Sequence, residues 1–233
     1  MSNFFANFLN SEVTKDYLAM FYSMLSGSLT TLSIFFLTLI FSIPLALIIA
    51  MGRMSKSKPL SRITNVFLLI IRGTPLMLQL LIVYFVPKLI AVKCFQSPIN
   101  WSSFIAAIVA FSINYAAYFA EIYRGGIEAI PQGQYEAAKV LGYTYPQTFF
   151  KIILPQVIKK IIPAMGNEVI TLVKDTSLVT ILSVQELMYF AKSSSNRMVS
   201  FTPLLIAGIF YFVMNWLVSL VFTKIEKKLS YYK

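Results

Sequence analysis

The stretch that decides the fold is QYEAAKVLGYTYPQTFFKIILPQ, residues 134–156. It has about the length of a membrane-spanning helix, yet one Glu, two Ala, one Gly and two Pro interrupt its apolar residues. The chain around it is built for lipid, because 58% of its 233 residues are hydrophobic and only 12% are charged. Soluble domains carry about a quarter charged residues. We therefore expect an all-α integral membrane protein in which this polar stretch lies outside the bilayer.

The apolar residues form five continuous blocks, each long enough to cross the roughly 30 Å of bilayer hydrocarbon as a helix. Continuous blocks indicate helices, since the strands of a membrane barrel alternate apolar and polar residues. The predicted spans are residues 24–51, 63–86, 104–123, 157–183 and 203–222. An odd number of spans places the two termini on opposite sides of the membrane.

The basic residues indicate which side is which. Of the 20 Lys and Arg residues, thirteen follow the first, third and fifth spans, five lie on the other side, and two fall within spans. An excess of Lys and Arg marks the cytoplasmic loops, so we predict an N-terminus outside and a cytoplasmic C-terminus. The net charge of +11 then reflects topology, and nucleic acid is not expected as a partner. The predicted units are an extracytoplasmic or interfacial segment (1–23), a transmembrane domain (24–222) and a cytoplasmic tail (223–233).

The cytoplasmic loop, about residues 125–156, has the pattern of two short helices. Glu136 is expected in the first turn of the first helix, where a carboxylate suits the positive helix end. Gly142 is placed to end that helix, because glycine adopts the left-handed conformation at low cost. Thr144 and Gln147 have capping-box spacing at the start of the second helix, and Pro155 is expected to close it. A surface hairpin that only packs on its own bundle stays an alternative.

This loop resembles the EAA loop of the permeases of ABC importers, without a gap. The matching residues are Glu136, Ala137, Ala138, Gly142, Ile152, Leu154 and Pro155. The stretches NYAAYFAEIYRGGIEAIPQGQ and RGTPLMLQL resemble the branch of those permeases that takes up polar amino acids of the histidine, glutamine and arginine type. The resemblance covers about residues 26–222 and implies a type I ABC-importer transmembrane fold in a bacterial cell membrane.

The resemblance also implies partners. The EAA loop would form a coupling helix that sits in a cleft of a separate ATPase, and the matching residues would make or shape that contact. We expect two ATPase subunits that bind ATP and Mg²⁺, a second permease chain in a homo- or heterodimer, and an extracytoplasmic binding protein that delivers an amino acid. None of the nine glycines is followed by Lys, so the chain has no phosphate loop of its own. We expect no catalytic residue in this chain, which is not an enzyme by itself.

Polar residues within the spans are candidates for a substrate path, because ionisable groups at membrane depth usually line a cavity. Each of the second, third and fourth spans carries such residues on one face. The candidates are Arg72, Gln79, Asn114, Tyr118, Asn167, Glu168, Thr171, Lys174 and Asp175. Arg72 or Lys174 suits the carboxylate of an amino acid, and Glu168 or Asp175 suits its ammonium group. The alternative is that these charges neutralise one another and hold the bundle together.

Two other classes of function compete with an importer subunit. A secondary transporter driven by an ion gradient predicts paired inverted repeats, and none is evident in this sequence. A membrane scaffold without a transport path predicts polar residues scattered around the helices. The chain lacks histidine, and Cys94, expected in an outside loop, is its only cysteine, so we expect neither a metal site nor a disulfide.

Overall fold

The computed structural model of the chain describes residues 12–96 and 101–229, and all regular structure within them is helical. The first half contains α1 (Glu12–Arg53), α2 (Lys58–Gly73), α3 (Leu76–Phe95) and α4 (Ser103–Glu128). The second half contains α5 (Gln132–Val140), α6 (Tyr145–Thr148), a π-helical segment (Phe149–Ile153), α7 (Leu154–Asp175), a 3₁₀ segment (Thr176–Leu182), α8 (Leu187–Met198) and α9 (Thr202–Leu229).

Among the described residues, four helical stretches are long and apolar enough to cross a membrane: Lys15–Arg53, Leu76–Cys94, Ser103–Glu128 and Thr202–Leu229. The first, third and fifth predicted spans lie within three of these stretches. The predicted fourth span, 157–183, is helical but carries several charged residues, and it is not among the four. The count of five spans and the orientation of the termini therefore stay predictions.

The prediction of one continuous second span, residues 63–86, is wrong. The chain breaks between α2 and α3, where Thr74 is extended with φ −115° and ψ 147°. Pro75 has no N–H to continue the helix and forces the preceding residue out of the helical region. Consequently Arg72 and Gln79 do not share a face of one helix, since they belong to α2 and α3.

Helix α4 lies at the centre of the bundle and packs against α1, α3 and α7. Phe111, Tyr115 and Phe119 are almost fully buried on it. Small residues of the same helix, such as Ala107 and Ala117, are also buried, which lets neighbouring helices approach closely. In contrast, α3 and α9 bury little of their surface in this chain, which leaves broad apolar faces for lipid or for another chain.

The helical segments from Tyr145 to Leu182 follow one another without a break. The prediction that Pro155 closes a separate helix is therefore wrong. Pro155 lies in the first turn of α7, where the missing N–H of proline is tolerated. The run ends at Ser183, which adopts a left-handed conformation with φ +57°.

Residues 1–11 of the predicted N-terminal segment and residues 230–233 of the predicted tail lie outside the described residues. Residues 12–23 of the predicted N-terminal segment belong to α1, and residues 223–229 of the predicted tail continue α9. Cys94 is exposed, but it lies in the last turn of α3 and not in a loop.

Candidate coupling loop and polar cavity

The turn after α5 has the geometry predicted from its glycine. Gly142 has φ +77°, a conformation that L side chains rarely adopt. The N–H of Tyr143 donates to the carbonyl of Ala138 at 3.0 Å, and the N–H of Gly142 donates to that of Lys139 at 3.0 Å. These two bonds form a Schellman motif, which fixes the direction in which the chain leaves α5.

The second short helix begins as predicted, with a capping box at Thr144. The Oε1 atom of Gln147 accepts a hydrogen bond from the N–H of Thr144 at 2.9 Å. The position expected for Glu136 is wrong, because α5 begins at Gln132 and places this residue in the second turn. Pro131 directly precedes α5, so the helix begins at Gln132 and Glu136 is its fifth residue.

A small core beneath the loop holds it against the bundle. Ile130, Ile153 and Val157 are buried together, and Ile152 packs against them. Ile153 belongs to the π-helical segment, a rare geometry that is frequent at functional sites. This core joins the chain after α4 to the start of α7, so apolar packing holds the loop against both helices.

The outer surface of the loop carries exposed apolar residues that the sequence pattern did not single out. The exposed fractions are 87% for Val140, 74% for Leu141 and 77% for Tyr145. We call these three residues the apolar tip. Glu136 and Ala137 are exposed beside the tip, whereas Ala138 is buried. Large exposed apolar residues at the end of a rigid hairpin are typical of a docking surface for another protein.

A groove of about 680 Å³ lies on the same loop, between the end of α4, α5 and α6. Its lining includes Ile127, Ile130 and Tyr135, and the charged side chains of Glu128 and Lys139. Ion pairs extend from this groove into the bundle, because Arg124 binds both Glu128 and Glu121. Glu121, Arg124 and Glu128 all belong to α4, so these ion pairs stabilise the end of that helix, and apolar packing holds the loop against it.

Five of the nine candidate path residues line one cavity, which we call the polar cavity. Its volume is about 300 Å³, at the lower end of the range for small-molecule sites. The lining residues are Thr74, Leu76, Asn114, Tyr115, Tyr118, Glu168, Thr171 and Asp175. The cavity therefore lies where the break between α2 and α3 meets α4 and α7.

The side chains that line the polar cavity include acidic groups and no basic group. Glu168 and Asp175 both line it, and none of its eight lining residues is basic. Tyr115 donates a hydrogen bond from its hydroxyl to Asp175 at 2.7 Å, which fixes one carboxylate. Two carboxylates in a confined space favour a ligand with positive charge.

Lys174 and Asn167 are not brought into the cavity. Both side chains are exposed on α7, and neither lines the cavity. Of the five polar residues of the predicted fourth span, this cavity brings together Glu168, Thr171 and Asp175, and a path shared by all five stays a prediction. The five residues spread over an arc of about 120° around the helix, and only part of this arc faces the cavity.

Arg72 lies next to the cavity but does not line it. Its guanidinium carbon lies 5.3 Å from the centroid of the Tyr118 ring, and its Nη1 atom lies 3.7 Å from a carboxylate oxygen of Glu121. Its side chain is 43% exposed. Arg72 is in the last turn of α2. Together with Arg53 and Arg124 it lies within 4 Å of the carboxylate of Glu121, and we call these four residues the ion cluster.

Gln79 forms hydrogen bonds across the break between α2 and α3. Its amide nitrogen donates to the carbonyl oxygens of Ile71 at 2.7 Å and Thr74 at 3.1 Å, and its Oε1 accepts from Asn114 at 2.9 Å. These bonds satisfy backbone groups that the break between α2 and α3 leaves without helical partners. Gln79 thus stabilises the break that forms one wall of the cavity.

Sequence reasoning missed Glu186, a fully buried carboxylate at the start of α8. It accepts hydrogen bonds from the hydroxyls of Thr31 (3.4 Å), Thr180 (2.9 Å) and Tyr211 (2.9 Å) and from the N–H groups of Met188 and Tyr189 (2.8 Å each). The contact is close because Gly27 of α1 leaves room for the backbone of Glu186. No local pattern reveals this residue, since two of its partners come from distant helices.

The chain matches, over residues 42–231, the family described as binding-protein-dependent transport system inner membrane component. This match covers most of the chain, and the chain belongs to that family. It is accordingly a multi-pass protein of the inner membrane.

Two relatives from Bacillus subtilis are similar over most of their length. The arginine transport system permease protein ArtQ is 37% identical over 209 residues, which are 89% of this chain and 92% of ArtQ. The L-cystine transport system permease protein TcyB is 37% identical over 217 residues, which are 91% of this chain and 89% of TcyB.

Solved structures agree with this family. A crystal structure of an amino acid ABC transporter with histidines has a chain that is 34% identical, with a TM-score of 0.81 over 91% of this chain and 96% of that one. An inward-facing structure of the methionine transporter MetNI has a TM-score of 0.69 at 18% identity, covering 91% of this chain and 98% of that one. The second likeness concerns the fold alone.

Proposed function

We propose that this chain is the permease subunit of an ABC importer that moves an amino acid into the cell. The coupling loop carries this proposal, because its Schellman turn, capping box and small core form a rigid hairpin with an exposed apolar tip. The relatives are named as permeases for arginine and L-cystine, which supports an amino-acid substrate.

The proposed complex contains two permease chains, two ATPase subunits that bind ATP and Mg²⁺, and an extracytoplasmic binding protein. In this proposal the chain crosses the membrane five times, with α7 as the fourth span, its N-terminus outside and its coupling loop in the cytoplasm. The apolar tip, with Glu136 and Ala137 beside it, would contact the ATPase. Movement of the ATPase subunits would then reach α4 and α7 through the buried contacts of Ile130 and Ile153, as a rigid-body switch between packed states.

The polar cavity is the proposed station on the path of the substrate. Glu168 and Asp175 supply negative charge for an ammonium or guanidinium group, and Asn114 and Thr171 supply neutral hydrogen-bonding groups. Because no lining residue is basic, the cavity fits a cationic amino acid better than an acidic one. Arg72 is engaged by Glu121 and Tyr118, so we assign it to the ion cluster and not to the substrate.

The test is uptake by the complete complex reconstituted into proteoliposomes. ATP is supplied on the side of the membrane where the ATPase subunits lie. Labelled arginine, glutamine and glutamate would be compared for the wild type, Glu168→Gln and Asp175→Asn. We expect both variants to lower arginine uptake at least tenfold relative to glutamine uptake, since a lost charge-assisted contact is worth roughly 1.5–3 kcal/mol.

Lys174→Gln is the matched control, because it changes one charge on the same helix outside the cavity. We expect it to leave the preference among the three amino acids unchanged. Equal effects of Lys174→Gln and Asp175→Asn would contradict the assignment of the cavity. Uptake that proceeds without ATP, on an ion gradient alone, would contradict the importer itself.

A further inference from the structure

A second polar pocket lies at the turn between α1 and α2, away from the polar cavity and the coupling loop. Its volume is about 340 Å³. The lining residues are Arg53, Ser55, Lys56, Lys58, Ser61, Arg62 and Asn65. Four of these seven residues are basic and none is acidic, so we call it the basic pocket.

The turn that forms the basic pocket is closed by its own hydrogen bonds. Ser61 donates from its hydroxyl to the carbonyl of Arg53 at 2.8 Å, and the N–H of Ser57 donates to the hydroxyl of Ser55 at 3.2 Å. These bonds hold the end of α1 and the start of α2 together. The basic side chains are therefore presented from a fixed backbone rather than from a loose loop.

The positive charge of the pocket is not neutralised within the described part of the chain. Among the described residues, no carboxylate forms an ion pair with Lys56, Lys58 or Arg62. Arg53 lies 3.8 Å from Glu121, but that carboxylate is shared with two other arginines. The first turn of α2 also lacks an acidic residue. The pocket thus carries a net positive charge, which attracts an external anion.

The surroundings of the pocket indicate a lipid rather than a free anion. It lies at the end of the membrane-crossing stretch Lys15–Arg53. Arg62, Asn65 and Leu69 share a face of α2 because of their spacing, and Leu69 is 66% exposed. Asn65 lines the basic pocket and also a neighbouring cavity that contains Leu69. Basic groups thus lead directly into an apolar surface along one helix.

We propose that the basic pocket binds the phosphate headgroup of an anionic phospholipid, with an acyl chain along the exposed apolar face of α2. The main apolar contacts on that face would be Ile63, Val66 and Leu69, which are all exposed. Clusters of four or more basic residues at the cytoplasmic end of a membrane helix attract anionic lipids. The lipid would occupy the leaflet on the predicted cytoplasmic side.

The test is a calorimetric titration of the detergent-solubilised complex, purified with its subunits, with short-chain phosphatidylglycerol, short-chain phosphatidylcholine and inorganic phosphate. We expect phosphatidylglycerol to bind and the other two probes to bind at least about tenfold more weakly. The double variant Lys56→Gln/Arg62→Gln should weaken phosphatidylglycerol binding about 30-fold, because the loss of each basic residue near the membrane surface lowers the affinity about five- to sixfold.

The double variant Lys224→Gln/Lys228→Gln is the matched control, because it removes two exposed charges from the cytoplasmic end of α9. It should change the affinity by no more than about twofold. Lys56→Arg keeps the charge and should bind as the wild type does, even if the double variant does not assemble. Equal losses in both double variants, or inorganic phosphate binding as tightly as phosphatidylglycerol, would overturn the proposal.

Discussion

Replacing Gly142 by valine tests whether the turn of the coupling loop transmits movement. Gly142 has φ +77°, and a Cβ atom added there would meet no atom within 4 Å. The substitution therefore changes the backbone preference without a steric clash. Within this chain, its effect therefore comes from the direction in which the chain leaves α5, and Gly142→Asn controls for a side chain that reaches the ATPase.

The free-energy cost of Gly142→Val follows from the left-handed conformation of the backbone at this position. An L residue in this region costs roughly 1–2 kcal/mol relative to glycine, and a β-branched residue is at the upper end because it is a genuine outlier there. A penalty of this size lowers the population of the native turn by a factor of about 5–30. The Schellman bonds of Gly142 and Tyr143 would be broken in the displaced population. Gly142→Asn should have a clearly smaller effect, because Asn tolerates the left-handed region.

The assay is the ATPase activity of the reconstituted complex, with and without the binding protein loaded with substrate. We expect Gly142→Val to reduce the stimulation by the binding protein at least about fivefold and to reduce uptake in parallel. Gly133→Val is the control within the same loop, since Gly133 lies in α5 without a positive φ and also has open space around it.

Normal stimulation and normal uptake by Gly142→Val would refute the role of the turn. An equal loss in Gly133→Val would show that the loop responds to any added side chain and not to its backbone geometry. A wild-type response of Gly142→Asn together with a loss in Gly142→Val is the expected pair of results.

Three further variants test the packing of the bundle, each by the midpoint of thermal unfolding of the purified protein. Gln79→Leu removes the bonds across the helix break and should cost about 2–3 kcal/mol; an unchanged midpoint would contradict its structural role. Gly27→Ala places a Cβ 2.7 Å from Phe190 and should cost about 1–3 kcal/mol, whereas Gly208→Ala, with open space around it, should cost nothing. Glu186→Ala should cost about 3 kcal/mol, because it leaves several buried donors without an acceptor; an unchanged midpoint would contradict this.

Local signals in the sequence predicted the parts of the coupling loop that depend on a few neighbouring residues. The left-handed turn at Gly142 and the capping box of Thr144 and Gln147 follow from backbone preferences and short-range hydrogen bonds. The predicted second span, residues 63–86, runs through the break before Pro75, because the apolar run continues on both sides. Whether such a proline bends or ends a helix depends on partners such as Gln79 that lie outside its own turn.

Features that depend on contacts between distant segments were not predictable in the same way. Glu186 is 155 residues from Thr31 in the chain, and only the folded bundle brings them together. Glu168 and Asp175 line the polar cavity and Lys174 does not, because the neighbouring helices cover only part of the polar face of α7. Periodicity identified the helix face, but the width of the cavity depends on packing.

The unbroken helical run from Tyr145 to Leu182 joins the two halves of the proposed mechanism in one rod. From Tyr145 to Asp175 it spans about 45 Å at 1.5 Å per residue. If the rod pivots near Ile153, where it is buried in the small core, the arm toward Asp175 is about 33 Å long. A tilt of about 5° would then move Asp175 by roughly 3 Å over that arm, enough to break or form its 2.7 Å bond with Tyr115. Small angular displacements at the coupling loop would thus become larger movements at Glu168 and Asp175.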